Sequence, residues 1–180
     1  MHAVTRCSTD ELERGEVASL RALLDAAWAG MEEAFTDADW EHAGGGVHFV
    51  VREWGEIVSH AAVVERRLHT NGRELRTGYV EAMVTRADRQ RRGLGTAVMR
   101  DVGRHIRETF ELGALDTGEF GFYDRLGWVR WQGPTAVRTP EGEVPTPDED
   151  GLIMVLFTPA VPELEVTAPI SCEWRPGDVW

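Results

Sequence analysis

The densest chemistry in this sequence lies in residues 78–96, Gly78-Tyr79-Val80-Glu81-Ala82-Met83-Val84-Thr85-Arg86-Ala87-Asp88-Arg89-Gln90-Arg91-Arg92-Gly93-Leu94-Gly95-Thr96. A strand-like run carrying one carboxylate, Glu81, leads into an Arg- and Gly-rich loop, and a helical pattern opens at Thr96. The first amides of a helix have no partner inside it, and that end carries a positive partial charge. A phosphate or pyrophosphate suits such a place. Gly93 and Gly95 let an anion come close to the backbone. Arg86, Arg89, Arg91 and Arg92 add fork-like donors. The loop is neither GxxxxGK nor GxGxxG. On composition alone, a turn with solvated charges explains it as well.

The rest of the chain narrows the choices. It has 180 residues, enough for one domain. Its 19 basic and 31 acidic side chains give a net charge of −12. All the basic residues are Arg, which excludes a Schiff-base lysine and a P-loop lysine. The acidity argues against nucleic acid as a partner and permits a cationic one. His2, His42, His48, His60, His69 and His105 form no metal-binding spacing, so no metal is expected. Cys7 and Cys172 lie near opposite ends and make no disulfide framework. No signal peptide and no membrane-length apolar run is visible, so a reduced, cytoplasmic protein is expected.

These residues need elements to position them. The pattern predicts a strand at 4–7, a helix over 10–29 capped by Ser8 or Thr9 and stopped by Gly30, and a short helix capped by Thr36 with Asp39 three residues on. Strands at 47–54, 57–69 and 74–85 form a meander, with turns at Gly55 and at Asn71-Gly72. A helix over 96–110, a strand over 112–115, a short helix over 120–126 and a strand over 128–131 follow. Residues 132–151, rich in Pro and acids, read as a loop. Strands at 152–157 and around 170–174 end the order. The outcome is a single domain over 1–180, an α/β (α+β) fold with a mixed, mostly antiparallel twisted sheet and about four helices. Trp28, Trp40, Trp54, Trp128 and Trp131 read as core or interface residues.

Gln90-Arg91-Arg92-Gly93-Leu94-Gly95 matches the (Q/R)-x-x-G-x-(G/A) loop of the GNAT N-acetyltransferases. Asp39-Trp40-Glu41-His42, Gly78-Tyr79-Val80-Glu81, Leu112-Gly113-Ala114-Leu115, Gly127-Trp128, Thr146-Pro147-Asp148-Glu149-Asp150-Gly151 and the closing Trp174-Arg175-Pro176-Gly177-Asp178-Val179-Trp180 resemble the aminoglycoside 2′-N-acetyltransferases. The resemblance implies a GNAT-like fold in which the fourth strand (78–85) splays from the fifth (112–117), with pantetheine in the gap. It implies acetyl-CoA as cofactor, held by the backbone of Met83, Val84 and Thr85 and by Arg91, Arg92, Gly93, Leu94, Gly95 and Thr96.

The resemblance also implies roles in catalysis. Glu81 is the expected base, on a strand whose alternation sets Tyr79, Glu81 and Met83 on one face. Tyr123 is the expected acid, by its place after the fifth strand. A polycationic aminoglycoside calls for carboxylates: Asp39, Glu81, Asp116, Glu149, Asp150 and the α-carboxylate of Trp180, with Glu32 and Glu33 weaker. Two positions depart from relatives, Ala34 where an aspartate can stand and an acid at 116 where a small hydroxyl can. Segment 160–180 is expected to serve the substrate site or a homodimer, for which the apolar run 152–157 is suited. The alternatives are a GNAT enzyme for another amine (a polyamine, a peptide N-terminus or a small metabolite) and a non-catalytic acyl-CoA sensor.

Overall fold

The computed structural model describes residues 3–29 and 34–180. His2, the helix stop at Gly30 and the acids Glu32 and Glu33 lie outside the described residues. Along the chain run β1 (Thr5–Ser8), α1 (Arg14–Trp28), α2 (Asp37–Ala43), β2 (Val47–Glu53), β3 (Glu56–Thr70), β4 (Arg73–Thr85), α3 (Leu94–Thr109), β5 (Leu112–Asp116), α4 (Phe120–Asp124), β6 (Val129–Arg130), β7 (Thr135–Thr139), β8 (Gly142–Pro145), β9 (Ile153–Phe157) and β10 (Ile170–Glu173). Contacts group them into two compact units, Met1–Val64 with Val80–Val102, and Glu65–Tyr79 with Gly103–Trp180. The strands β3 and β4 and the helix α3 each run from one unit into the other.

In the first unit β1 pairs with β2, and β2 with β3, all antiparallel. The hairpin turns on Trp54 (φ 55°) and Gly55 (φ 83°), a two-residue turn whose left-handed residues match the strand twist. Helix α1 starts later than its apolar pattern predicts. Ser8 donates its amide to Glu11 Oε2 at 2.7 Å and closes a separate 3-10 turn. Glu13 then opens α1 by donating its amide to Glu16 Oε2 at 3.1 Å. Leu20 and Leu24 of this helix pack with Leu12, Val50, Ile57 and Val84. Thr36 caps α2 as predicted, its hydroxyl accepting from the Asp39 amide at 3.3 Å.

In the second unit the strand order is β6-β9-β5-β4-β3-β10-β7-β8. β4 pairs with β5 and β10 with β7 in parallel, whereas β10 with β3, β5 with β9, β6 with β9 and β7 with β8 are antiparallel. Asn71 and Gly72 turn β3 into β4 at φ 51° and 73°. Gly78 and Gly113 sit where a Cβ would meet Ile106 side-chain atoms at 3.0 Å, so glycine lets the helix lie close on these strands.

Three expectations change here. Residues 132–151 are not a loop: they hold the β7–β8 hairpin and a 3-10 turn at Pro147–Glu149. Pro140 falls in the turn and Pro145 ends the edge strand β8, places where a missing amide costs no interior ladder bond. Strand β9 does not need a partner subunit to bury its apolar residues. It lies between β5 and β6, and Ile153 to Leu156 are at most 1% exposed. Finally, Trp128 and Trp131 are buried, but Trp54 is 96% exposed at its hairpin tip.

Candidate active site

Strand β4 carries the first group of site residues. Its parallel ladder with β5 covers only Thr77–Leu112, Gly78–Gly113 and Tyr79–Ala114. Residues 80–85 continue β4 past its last pair with β5. Glu81, Ala82 and Met83 are all half-buried, so the expected alternation fails there. The cause is Ala82, whose φ of 51° is left-handed. Such a residue inside a strand breaks the pleat as a bulge does, at a cost of roughly 1–3 kcal/mol. Its carbonyl accepts from His60 Nδ1 at 2.8 Å. Further on, the Val84 carbonyl accepts from the Ser59 hydroxyl at 3.2 Å, and Thr85 Oγ1 lies 2.8 Å from the same hydroxyl.

Beyond β4 the chain forms the Arg/Gly loop. Arg91 (φ 60°) and Gly93 (φ 81°) are left-handed, and α3 opens at Leu94. Its first helical bond runs from the Ala97 amide to the Gly93 carbonyl at 2.9 Å. Helix geometry therefore directs the amides of Leu94, Gly95 and Thr96 outward. A Cβ placed on Gly93 would have no atom within 4 Å. Buried Leu94, Val98, Met99 and Val102 hold this part of α3 in the first unit. An open cradle of amides at the N-terminus of a 16-residue helix fits the pyrophosphate of coenzyme A.

The four arginines of this region divide in two. Arg86 is bound by Asp88 at 2.7 Å and Glu56 at 2.8 Å. Arg89 is bound by Glu53 at 2.8 Å and Asp88 at 2.6 Å. These two brace the loop, whereas Arg91 and Arg92 are exposed at its tip. A hollow of about 520 Å³ beside it is lined by Glu53, Trp54, Arg89 and Arg92.

The second unit holds Tyr123, Asp116, Glu149, Asp150 and Trp180. Tyr123 on α4 is 7% exposed, edge-on to Phe122 and Trp128 with ring centroids 4.9 and 6.1 Å away. Burial, aided by the charges of Glu119 and Asp116, pushes its phenol far above the usual tyrosine range. It therefore stays protonated. Gly127 (φ 86°) ends the turn that follows, and the Trp128 amide donates to the Tyr123 carbonyl at 3.2 Å.

Asp150 and Trp180 are brought together through two threonines. The Trp180 indole donates to Thr146 Oγ1 at 2.9 Å, and Thr146 Oγ1 donates to Thr135 Oγ1 at 2.8 Å. Thr135 in turn gives its amide to Asp150 Oδ1 at 2.7 Å. Trp180 is 2% exposed, and its main-chain oxygen accepts from Arg175 at 2.7 Å. Asp116 is exposed at the end of β5, and Glu149 is half-buried in the 3-10 turn. In the first unit, Asp39 accepts from the Thr36 amide at 2.7 Å and closes the capping box of α2. Neither cysteine is disulfide-bonded, and burial pushes the Cys172 thiol up to about 11.

Motif reading missed His48 and His60, and also Thr135 and Thr146. No local spacing shows the histidines: the turn at Trp54-Gly55 pairs Glu53 with Glu56 and Arg52 with Ile57, and an irregularity between Val51 and Arg52 then shifts the register by one, so that His48 pairs with Ala62 and Val50 with His60. That sets the two imidazoles on diagonal neighbours of one face.

A model of the acetyltransferase (GNAT) domain matches residues 8–130. The chain belongs to the GNAT acetyltransferase family. Across its whole length this acetyltransferase is 42% identical to an aminoglycoside 2′-N-acetyltransferase of Mycolicibacterium fortuitum, covering 93% of that protein. Its fold resembles Escherichia coli ElaA, with a TM-score of 0.62 at 14% identity over 86% of this chain and 99% of that one. It also resembles a GNAT acetyltransferase of Brucella melitensis crystallised with acetyl-CoA, with a TM-score of 0.54 at 19% identity over 72% of this chain and 84% of that one. Members of the family use acetyl-CoA, which agrees with the loop chemistry of this acetyltransferase. Among the described residues no helix is long and apolar enough to cross a membrane.

Proposed function

We propose that this acetyltransferase transfers the acetyl group of acetyl-CoA to the 2′-amine of an aminoglycoside. The full-length 42% identity to an aminoglycoside 2′-N-acetyltransferase carries the reading. Acetyl-CoA, when bound, supplies the acetyl group as a reactive thioester. The exposed amides at the start of α3, with Arg91 and Arg92, hold its pyrophosphate, and the backbone of Met83, Val84 and Thr85 pairs with its pantetheine arm.

An aminoglycoside amine is mostly protonated at neutral pH and must lose a proton before it attacks. Glu81 takes that proton, directly or through a water. Tyr123 donates a proton to the leaving sulfur. Burial keeps the phenol protonated, as an acid must be before it donates. Asp39, Glu81, Asp116, Glu149, Asp150 and the Trp180 carboxylate supply negative charge for the substrate's ammonium groups. The enzyme acts in the cytoplasm as a homodimer, with both thiols free.

The deciding experiment follows release of the coenzyme A thiol with matched acceptors. Aminoglycosides bearing a 2′-amine are acetylated, and analogues bearing a 2′-hydroxyl are not. Turnover with polyamines or peptide N-termini alone would move the substrate class to another amine. Tight coenzyme A binding without turnover of any amine would make the domain a sensor. Light scattering on the purified protein reads the dimer.

A further inference from the structure

Two buried histidines in the first unit take no part in the chemistry above. His48 and His60 are both 0% exposed. His60 Nδ1 lies 2.8 Å from the Ala82 carbonyl. His60 Nε2 lies 2.8 Å from His48 Nδ1, and His48 Nε2 lies 2.9 Å from Thr9 Oγ1. Thr9 Oγ1 also accepts from the Gly45 amide at 3.0 Å.

These contacts fix every proton. A carbonyl only accepts, so His60 carries hydrogen on Nδ1. Burial drives the His60 pKa down to about 3 and that of His48 to about 4, so each ring is neutral and holds one hydrogen. His60 Nε2 is then an acceptor, and His48 donates to it from Nδ1. His48 Nε2 accepts from the Thr9 hydroxyl. The relay runs one way, from Gly45 through Thr9, His48 and His60 to Ala82. It ends on a carbonyl, which has no place for a transferred proton, so it is a clamp and not a proton path.

The clamped atom matters because a peptide unit is planar and trans. The Ala82 carbonyl and the Met83 amide belong to one unit and point in opposite directions. Holding the carbonyl against His60 aims the Met83 N–H away from it. Left-handed backbone at an alanine is costly, so an undirected peptide would tend to relax. We propose that the Thr9–His48–His60 relay is a positioning device that aims the Met83 amide at the cofactor. The inference rests on the reading that the Met83 backbone pairs with pantetheine. Both histidines are thus positioning residues, acting on the cofactor through the Ala82–Met83 peptide.

The test measures coenzyme A affinity by calorimetry, with no acceptor and no turnover. His60→Leu removes the donor and should weaken binding about tenfold, the size expected from misdirecting one hydrogen bond. His60→Asn keeps a donor near the Nδ1 position and should restore most of the affinity. A deficit equal in both variants, or absent from His60→Leu, overturns the proposal. The amide resonance of Met83 in the wild type separates this from failure of the cofactor reading. If coenzyme A leaves that resonance unmoved, the pairing itself is wrong and the proposal falls with it. If the resonance shifts while His60→Leu binds normally, the relay alone is rejected. Should His60→Leu not fold, nitrogen NMR of the wild type still decides, since hydrogen on His60 Nε2 would overturn the proposal.

Discussion

Asp150 Oδ1 receives both the amide of Thr135, at 2.7 Å, and its hydroxyl, at 2.9 Å. This carboxylate fixes the start of β7, and through Thr135 and Thr146 it is tied to the Trp180 indole. Asp150→Ala should cost about 1–3 kcal/mol by leaving these donors without a charged acceptor. Asp150→Asn retains an oxygen and should keep most of that stability. Urea titration reads the difference. A raised KM for aminoglycoside in folded Asp150→Asn would show that the charge also serves the substrate.

Glu81 and Tyr123 have separable signatures. Glu81→Gln should lower kcat about a hundredfold or more, the usual worth of a general base. Tyr123→Phe should also lower kcat, while its ring keeps its packing against Phe122 and Trp128. Coenzyme A affinity should change little in either. Steady-state kinetics with calorimetry settles the matter: two variants with normal kcat would remove both catalytic assignments.

Acid should weaken the first unit through its histidines. In the folded protein burial lowers the pKa of His48 to about 4 and of His60 to about 3, against about 6.5 in an unfolded chain. Below pH ~6.5 the unfolded chain binds protons that the folded one refuses, so stability is lost as pH falls from there toward the folded values. Each histidine contributes a slope of up to about 1.4 kcal/mol per pH unit in that window. Above it the contribution is complete and flat. Urea midpoints measured at several pH values should fall on the acid side for the wild type, and more gently for His60→Asn.

Gly78 and Gly113 should resist any side chain. A Cβ on Gly78 would lie 2.7 Å from the Phe110 ring, and one on Gly113 would lie 2.9 Å from Leu156. Gly78→Ala and Gly113→Ala should each cost roughly 1–3 kcal/mol by overpacking. Gly93→Ala meets no atom within 4 Å, and its penalty is the left-handed backbone alone, about 1 kcal/mol. Thermal melts of the three variants test the ranking. For Gly93→Ala, weakened coenzyme A binding should exceed the loss of stability, because the new methyl occupies the cradle.

Much of the molecule was legible from local patterns. Thr36 with Asp39, the Asn71-Gly72 turn and the apolar stripe of α3 are local, so spacing alone reveals them. The step from β4 through the Arg/Gly loop into α3 was legible because the apolar period changes there. Residues 132–151 read as a loop from their proline content, but an edge hairpin tolerates proline.

By itself, then, the sequence determined the loop that opens α3, the order of most elements and the acidic balance that admits a cation. Each depends on neighbours in the chain or on composition. Tertiary structure decided that Glu53, Glu56 and Asp88 tie down Arg86 and Arg89. It decided that Asp39 and Asp150 hold backbone amides. It also decided that His60, 22 residues before Ala82, holds the Ala82 carbonyl. Those outcomes depend on strand register and burial, which bring together side chains that no local spacing connects.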